Sequence, residues 1–413
     1  MRLAWAVVGA LMAAQPVAAQ AGEDSLVVLL RSVAEPLAVG ADGRLAGAAG
    51  ERLAARVRAS RFVLLGEEHG MADVPRLAAA LWRAGQDAGP GPQYLAIEVG
   101  PQMAGRLEAA LRMEPTDSAY RAFLAAHRPG APFYFWREDA ALLRTVVAAT
   151  PGRSGVLWGL DYDILADRHL FQRLRQLAPS AEARRVADSA IAVADGAFAE
   201  VLAQGNPGLL YMFGGSPALL ARVRGVFRPR AGSEAEGILS LMEETLAINR
   251  LFMAGSGYES NRRRAALMRD HFVAAYRQAS RGGVRPRVLF KFGATHLLRG
   301  VSFTQQFDLG TLVPAVAELA GDSALSLYAM GGVGSRQAQF DPRVMRSVEA
   351  PVDLEGGAEL GVFARAAAGE GWTVFDLRGV RGRSRGWRGC LTGCGGWCSG
   401  MTWWWCSRGG GAA

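Results

Sequence analysis

Two short segments, Gly66-Glu67-Glu68-His69-Gly70 and Gly293-Ala294-Thr295-His296, hold the residues best suited to chemistry in this chain. Histidine is scarce, with five in 413 residues, at positions 69, 127, 169, 271 and 296. His69 follows two acids directly after the apolar run Phe62-Val-Leu-Leu65. A neighbouring carboxylate orients an imidazole and favours its protonated form, and a histidine within reach of water is a natural general base. His296 follows Gly293, a residue that permits close backbone approach or a tight turn. His127, His169 and His271 lie on or beside expected helices without acidic neighbours at a strand end and read as structural, although Asp270 could bring His271 toward a site.

Three further acids end apolar runs. Glu98 closes Tyr94-Leu-Ala-Ile97, and Asp161 and Asp163 close Gly155 to Leu160 in the sequence Gly-Leu-Asp-Tyr-Asp. A carboxylate in such a place must be paired or hydrogen-bonded, or its pKa rises; either outcome suits a functional acid. Lys291 is the only lysine in the chain, every other basic residue being arginine. It lies five residues before His296, and strand alternation puts it on one face with Leu289 and Gly293. Arg262, Arg263 and Arg264 open a long helix; such runs are ordinarily a solvated face.

These groups require strands to carry them. Apolar strands are expected at 61–65, 94–97, 155–160 and 287–292, with later ones at 323–329 and 372–377. Helices are expected at 75–84, where Asp73 and Pro75 supply start signals, at 137–149, and in a run at 164–177, 181–203, 217–226, 234–252 and 259–279. Strands alternating with helices predict an α/β fold: a central, mostly parallel sheet flanked by helices, with a helical insertion at about 164–280. In such sheets ligands bind beyond the carboxyl ends of the strands. Four of these strands deliver polar groups there.

The ends of the chain read differently. Arg2, the apolar run Leu3 to Met12 and the small residues Ala19-Gln20-Ala21 fit a signal peptide over 1–21, which predicts an exported, periplasmic or extracellular protein. The run is too short to span a bilayer, and no integral membrane segment is expected after cleavage. Residues 22–60 read as a helical lead-in to an α/β domain over 61–378. From Gly379 onward the chain has five arginines, no acid, five of the ten tryptophans and all four cysteines. It shows no periodicity and reads as an aberrant or disordered Gly/Arg/Trp/Cys tail. Without that tail and Arg2, the formal charge of +8 falls to about +2 (8 − 5 − 1), which is not the footprint of a nucleic-acid binder. The cysteines, spaced C-x3-C-x3-C-x7-C, do not match the usual zinc patterns. The chain has no G-x-S-x-G nucleophile elbow, no P-loop, no dinucleotide fingerprint and no haem attachment motif.

The segments GEEHG, AIEVG, FWREDAALLR, GLDYD, RAALM and VLFKFGATH occur in an order that resembles the erythromycin esterase-like family, over roughly Arg61 to Gly310. The wider superfamily includes the ChaN-like haem-binding proteins and the TraB/Tiki peptidase-like proteins. The resemblance implies an α/β fold with a helical insertion and a cleft lined by acids and histidines. It implies a hydrolase that cleaves an ester or related bond of a small molecule and requires no cofactor; with the N-terminal signal and the missing nucleophile elbow, the expectation is an exported enzyme using direct attack by water. His69 would be the general base, Glu67 and Glu98 its acid partners and His296 a second polar group, while Arg264 would bind an anionic group or hold a carboxylate; Glu68, Asp161 and Lys291 are further candidates, with Arg264, for contact with substrate. The Gly-Glu-x-His spacing at His69 is closer to the ChaN-like pattern, which implies haem binding. The paired Gly-x-x-His segments are similar to the Tiki arrangement, in which His69, Glu98 and His296 would hold a divalent metal for peptide cleavage.

Overall fold

The computed structural model describes residues 18–381, apart from 88, 90, 128, 333, 353–357 and 368–370, together with 403–408. Its strands, in chain order, are β1 (Ala34–Val39), β2 (Leu45–Ala46), β3 (Phe62–Glu67), β4 (Tyr94–Ile97), β5 (Leu157–Gly159), β6 (Val288–Gly293), β7 (Ala324–Gly331), β8 (Arg336–Asp341), β9 (Arg346–Pro351), β10 (Gly371–Asp376) and β11 (Trp403–Arg408). Nine form one sheet in the order β2-β1-β10-β11-β7-β3-β6-β4-β5, and β8 and β9 pair as a separate antiparallel ribbon. The five strands β7-β3-β6-β4-β5 run parallel.

Parallel strands need cover on both faces, so they read as unbroken apolar runs rather than alternating ones. β3 and β6 are buried at every position. Alternate side chains enter two cores. Val63, Leu65, Leu95, Ile97 and Leu289 pack with Leu77, Leu81 and Trp82 of the helix Asp73–Gln86. Phe62, Leu64, Ala96, Val288 and Phe290 pack on the opposite face with Met268 and Phe272 of the helix Gly257–Ala279. Lys291 follows the alternation of Leu289 and so points to the first face, toward the helix Arg137–Ala148.

The expected helical insertion leads from β5 to β6 and contains the helices Asp167–Leu177, Ala181–Gln204, Pro217–Phe227, Glu234–Met253 and Gly257–Ala279. Its boundaries carry the expected chemistry. Ser180, Ser216 and Ser233 cap helix starts with their side chains, and Gly205 ends one in the left-handed conformation at φ 62°. After this excursion the chain returns through the sheet's middle, so β6 separates β3 from β4. The parallel direction puts Glu67, Glu98, Asp161 and Gly293 at one edge, around β6.

Two expectations change, on the lead-in and on the tail. The lead-in over 22–60 is not purely helical, because β1 and β2 lie between the helices Ala18–Arg31 and Gly47–Ala59 and extend the sheet through β10. The first of those helices runs through the expected cleavage point at 19–21; residues 1–17 lie outside the described residues. Against the expectation of a structureless tail, Trp403–Arg408 forms β11 between β10 and β7. An aromatic run suits a strand, and this one pairs the backbone groups of both neighbours. Residues 382–402 and 409–413 lie outside the described residues. Among the described residues, no helix is long and apolar enough to cross a membrane.

Candidate active site

The strand ends converge on a cavity of about 1060 Å³ lined by Glu67, Glu68, His69, Glu98, Asp161, Arg264 and His296, among others. Seven of the eight predicted site residues therefore meet in one place. Lys291 does not line the cavity. It is 1% exposed beneath it, so its expected contact with substrate is replaced by contact with Glu67.

His69 is held by a buried relay. Its Nδ1 lies 2.9 Å from Glu67 Oε1, and the same oxygen accepts from Lys291 Nζ at 2.8 Å. Lys291 Nζ also pairs with Asp139 Oδ1 at 2.8 Å. Burial opposes ionisation of Glu67, but the charge of Lys291 and the hydrogen bond with His69 hold its carboxyl below the ordinary value. Burial likewise opposes a charged Lys291, yet Asp139 and Glu67 keep its pKa well above that of a free lysine. Burial pushes Asp139 up to about 6, partly offset by Lys291 and reinforced by Glu67. An ionised Glu67 accepts only, so Nδ1 of His69 donates to it, and Nε2 is the ring nitrogen that faces the cavity and Glu98.

Glu98 joins the rest of the site. Its Oε2 accepts from the Gly293 N–H at 2.5 Å and lies 3.5 Å from His69 Nε2. Its Oε1 accepts from Arg264 Nη2 at 3.1 Å and lies 3.6 Å from His296 Nε2. Against the cost of burial, His69, His296 and Arg264 hold the Glu98 carboxyl down at about 2. Arg264 also donates Nε to Asp161 Oδ1 at 3.0 Å and Nη2 to Asp161 Oδ2, and its guanidinium lies 4.6 Å from the Tyr162 ring centre. The arginine run thus divides: Arg262 and Arg263 pair with Glu259 and Glu244 on the outside, and Arg264 enters the site.

His296 has its own acid. Nδ1 lies 2.7 Å from Asp308 Oδ2, whose other oxygen caps the helix Leu309–Leu319 through Leu309 N at 2.7 Å. Burial and Arg264 lower the His296 pKa, but Asp308 and Glu98 outweigh them and raise it above 6.5. Glu68 points elsewhere on the cavity wall. It accepts from Gly331 N at 2.9 Å, and burial raises its pKa.

Gly293 permits the close approach its position suggested, with ordinary negative φ. A Cβ there would lie 2.8 Å from His69 Nε2 and 3.3 Å from Glu98 Oε2. Of the histidines expected to be structural, His169 is buried and His271 places Nδ1 3.0 Å from the Leu160 carbonyl; the His127 side chain lies outside the description. Sequence reasoning passed over Asp139, Asp308, Phe133 and the β8–β9 ribbon. Asp139 stood in the FWREDAALLR segment, and Asp308 carried a helix-start signal. The ribbon residues Gln337 to Phe340 line the cavity, and Ala338 N donates to Gly70 O at 2.9 Å. That contact needs Gly70, at φ 85°, because a Cβ there would meet Ala338 O at 2.1 Å.

No family model and no curated protein matches the sequence. Solved structures do. An erythromycin esterase mutant, EreC in its open conformation, aligns with a TM-score of 0.51 at 17% identity, over 79% of this chain and 85% of that one. A succinoglycan biosynthesis protein aligns with a TM-score of 0.55 at 13% identity, over 96% and 98% of the two chains. A Bacillus cereus protein aligns with a TM-score of 0.55 at 12% identity, over 94% and 97%. The chain thus shares its overall α/β fold with an erythromycin esterase.

Proposed function

We propose that this protein is an exported hydrolase that cleaves an ester or related bond of a small molecule by direct attack of water, with His69 as general base. The observation that carries this reading is the relay Asp139–Lys291–Glu67–His69. It fixes the imidazole through Nδ1 and leaves Nε2 at the cavity wall beside Glu98. In the proposed reaction, Nε2 takes a proton from water as its oxygen bonds to the carbonyl carbon. The bond to the leaving oxygen then breaks, and the imidazolium returns the proton to that oxygen. His296, favoured in its protonated form by Asp308 and Glu98, supplies a positive donor for the developing oxyanion. The shared fold with an erythromycin esterase supports the reaction class, and the N-terminal sequence supports export.

The donor set fits the metal alternative poorly. Glu98 spends one oxygen on Arg264 and the other on the Gly293 amide, and the two histidines face different oxygens of it. Among the described residues no group of three or more His, Cys, Asp or Glu side chains converges to hold a metal ion.

A panel of p-nitrophenyl esters and lactones tests the reading. Wild-type turnover that survives a chelator and falls at least a hundredfold in His69→Ala is expected. Turnover that needs an added divalent ion would favour the peptidase-like alternative. A Soret band on haem titration, lost in His69→Ala or His296→Ala, would favour the carrier.

A further inference from the structure

Phe133 holds a conformation that aromatic residues rarely adopt, at φ 65° in the left-handed region. Such a conformation persists only where surrounding contacts enforce it, and it concentrates at functional sites. Its ring lies flat on the His69 imidazole, with centroids 3.7 Å apart and planes 6° apart. The residues beside it supply the enforcement. The Tyr134 hydroxyl donates to the Lys291 carbonyl at 3.0 Å and accepts from the Glu98 N–H at 3.3 Å, bridging the end of β4 to β6. The Tyr134 carbonyl accepts from the Tyr120 hydroxyl at 2.7 Å. Trp136 donates Nε1 to Ser347 Oγ of the ribbon at 3.2 Å, and Phe135 packs against Phe340.

We propose that Phe133 is a positioning residue for His69: the anchored segment Phe133–Trp136 presses an aromatic face onto the imidazole and fixes the plane in which Nδ1 meets Glu67 and Nε2 faces the cavity. The relay through Glu67 constrains one atom of the ring. A parallel ring at van der Waals distance adds a second restraint, opposing tilt of the imidazole away from that contact. The stack also covers one face of the imidazole. The side chain exchanges no proton and carries no charge; it acts through His69.

This inference rests on His69 being the base, but its first test does not depend on turnover. Full-length protein with 15N-labelled histidine is compared by NMR with Phe133→Leu, Phe133→Gly and Phe133→Tyr, His69→Ala assigning the resonances. Wild type is expected to show one His69 tautomer, protonated at Nδ1, with carbon-bound ring protons shifted upfield by the aromatic face. Phe133→Leu keeps apolar bulk and Phe133→Gly accepts the positive φ without strain. Both are expected to lose the upfield shift and to average the ring, and Phe133→Tyr to retain it. On p-nitrophenyl esters the Leu and Gly variants are expected to lose roughly tenfold to a hundredfold in kcat with KM little changed, and the Tyr variant to recover it. An unshifted His69 signal in wild type, or wild-type kcat in both Leu and Gly variants, overturns the proposal. Hydrolysis that survives in His69→Ala would instead refute the functional reading and leave the spectroscopic result standing.

Discussion

Replacing Lys291 with Met should damage stability and turnover together, because one buried ammonium serves two carboxylates. Glu67 Oε1 and Asp139 Oδ1 each lie 2.8 Å from its Nζ. At an effective dielectric of about 20, the gross attraction to each is about 6 kcal/mol. Desolvation of three buried charges cancels much of this, and removing one partner of such a set costs about 3–5 kcal/mol. The pH dependence has a definite sign. Without the lysine, both carboxyls sit buried without a cation, so their folded pKa values rise above the unfolded ones. A raised carboxyl disfavours the fold at pH above its unfolded value and ceases to do so below it. The deficit of Lys291→Met should therefore be largest near pH 7 and shrink by pH 5. Urea unfolding followed by circular dichroism at both pH values measures it, and Lys291→Met/Asp139→Leu should regain part of the loss. A deficit under about 1 kcal/mol at pH 7, or one that grows on acidification, would refute this reasoning. In the same variant kcat should fall about a hundredfold or more, since a protonated Glu67 no longer holds the His69 tautomer.

Further outcomes follow from other contacts. Gly293→Ala places a Cβ 2.8 Å from His69 Nε2, so kcat should drop about a hundredfold with little change in urea midpoint; unchanged kcat would show that the imidazole has room to move. Glu98→Gln removes the charge that holds His69, His296 and Arg264. Because the folded pKa of Glu98 is depressed to about 2, its stabilisation is present above the unfolded carboxyl value and lost as pH falls toward 2, so the stability gap between wild type and variant should close over that window in acid titrations. Asp163, fully buried with Oδ1 accepting from Gly100 N at 2.8 Å, is raised by burial to about 7. The unfolded carboxyl ionises at about 4 while the folded one keeps its proton up to about 7, so its opposition to folding builds between those pH values, and Asp163→Asn should match wild type near pH 4 and exceed it by about 4 kcal/mol or less at pH 8; a less stable variant at pH 8 would contradict the assignment.

The parts of the site legible in the sequence were those that a strand end announces. Glu67–His69, Glu98, Asp161 and Gly293–His296 each follow an apolar run that had to be a buried strand, and parallel strands carry such ends to one edge. That β6 lies between β3 and β4 was not legible, because strand order is set by tertiary packing. Nor were the acids behind the histidines. Asp139 meets Lys291 from 152 positions away in the chain (291 − 139), and Asp308 announces only a helix start. The solvent-facing ribbon β8–β9 has no clean apolar alternation, so the residues that wall the cavity opposite the sheet were missed. Lys291 was singled out for its rarity, yet its role depended on which face of β6 it took. Strand β11 escaped notice because a tryptophan run in a Gly- and Arg-rich tail gives no period to read.

Chemical rescue tests the role of His69 Nε2 in taking the proton from water. His69→Gly opens a space where the imidazole stood. Hydrolysis of a p-nitrophenyl ester turned over by wild type is expected to fall at least a hundredfold in this variant and to be restored in proportion to added imidazole. Undiminished hydrolysis in His69→Gly would contradict it.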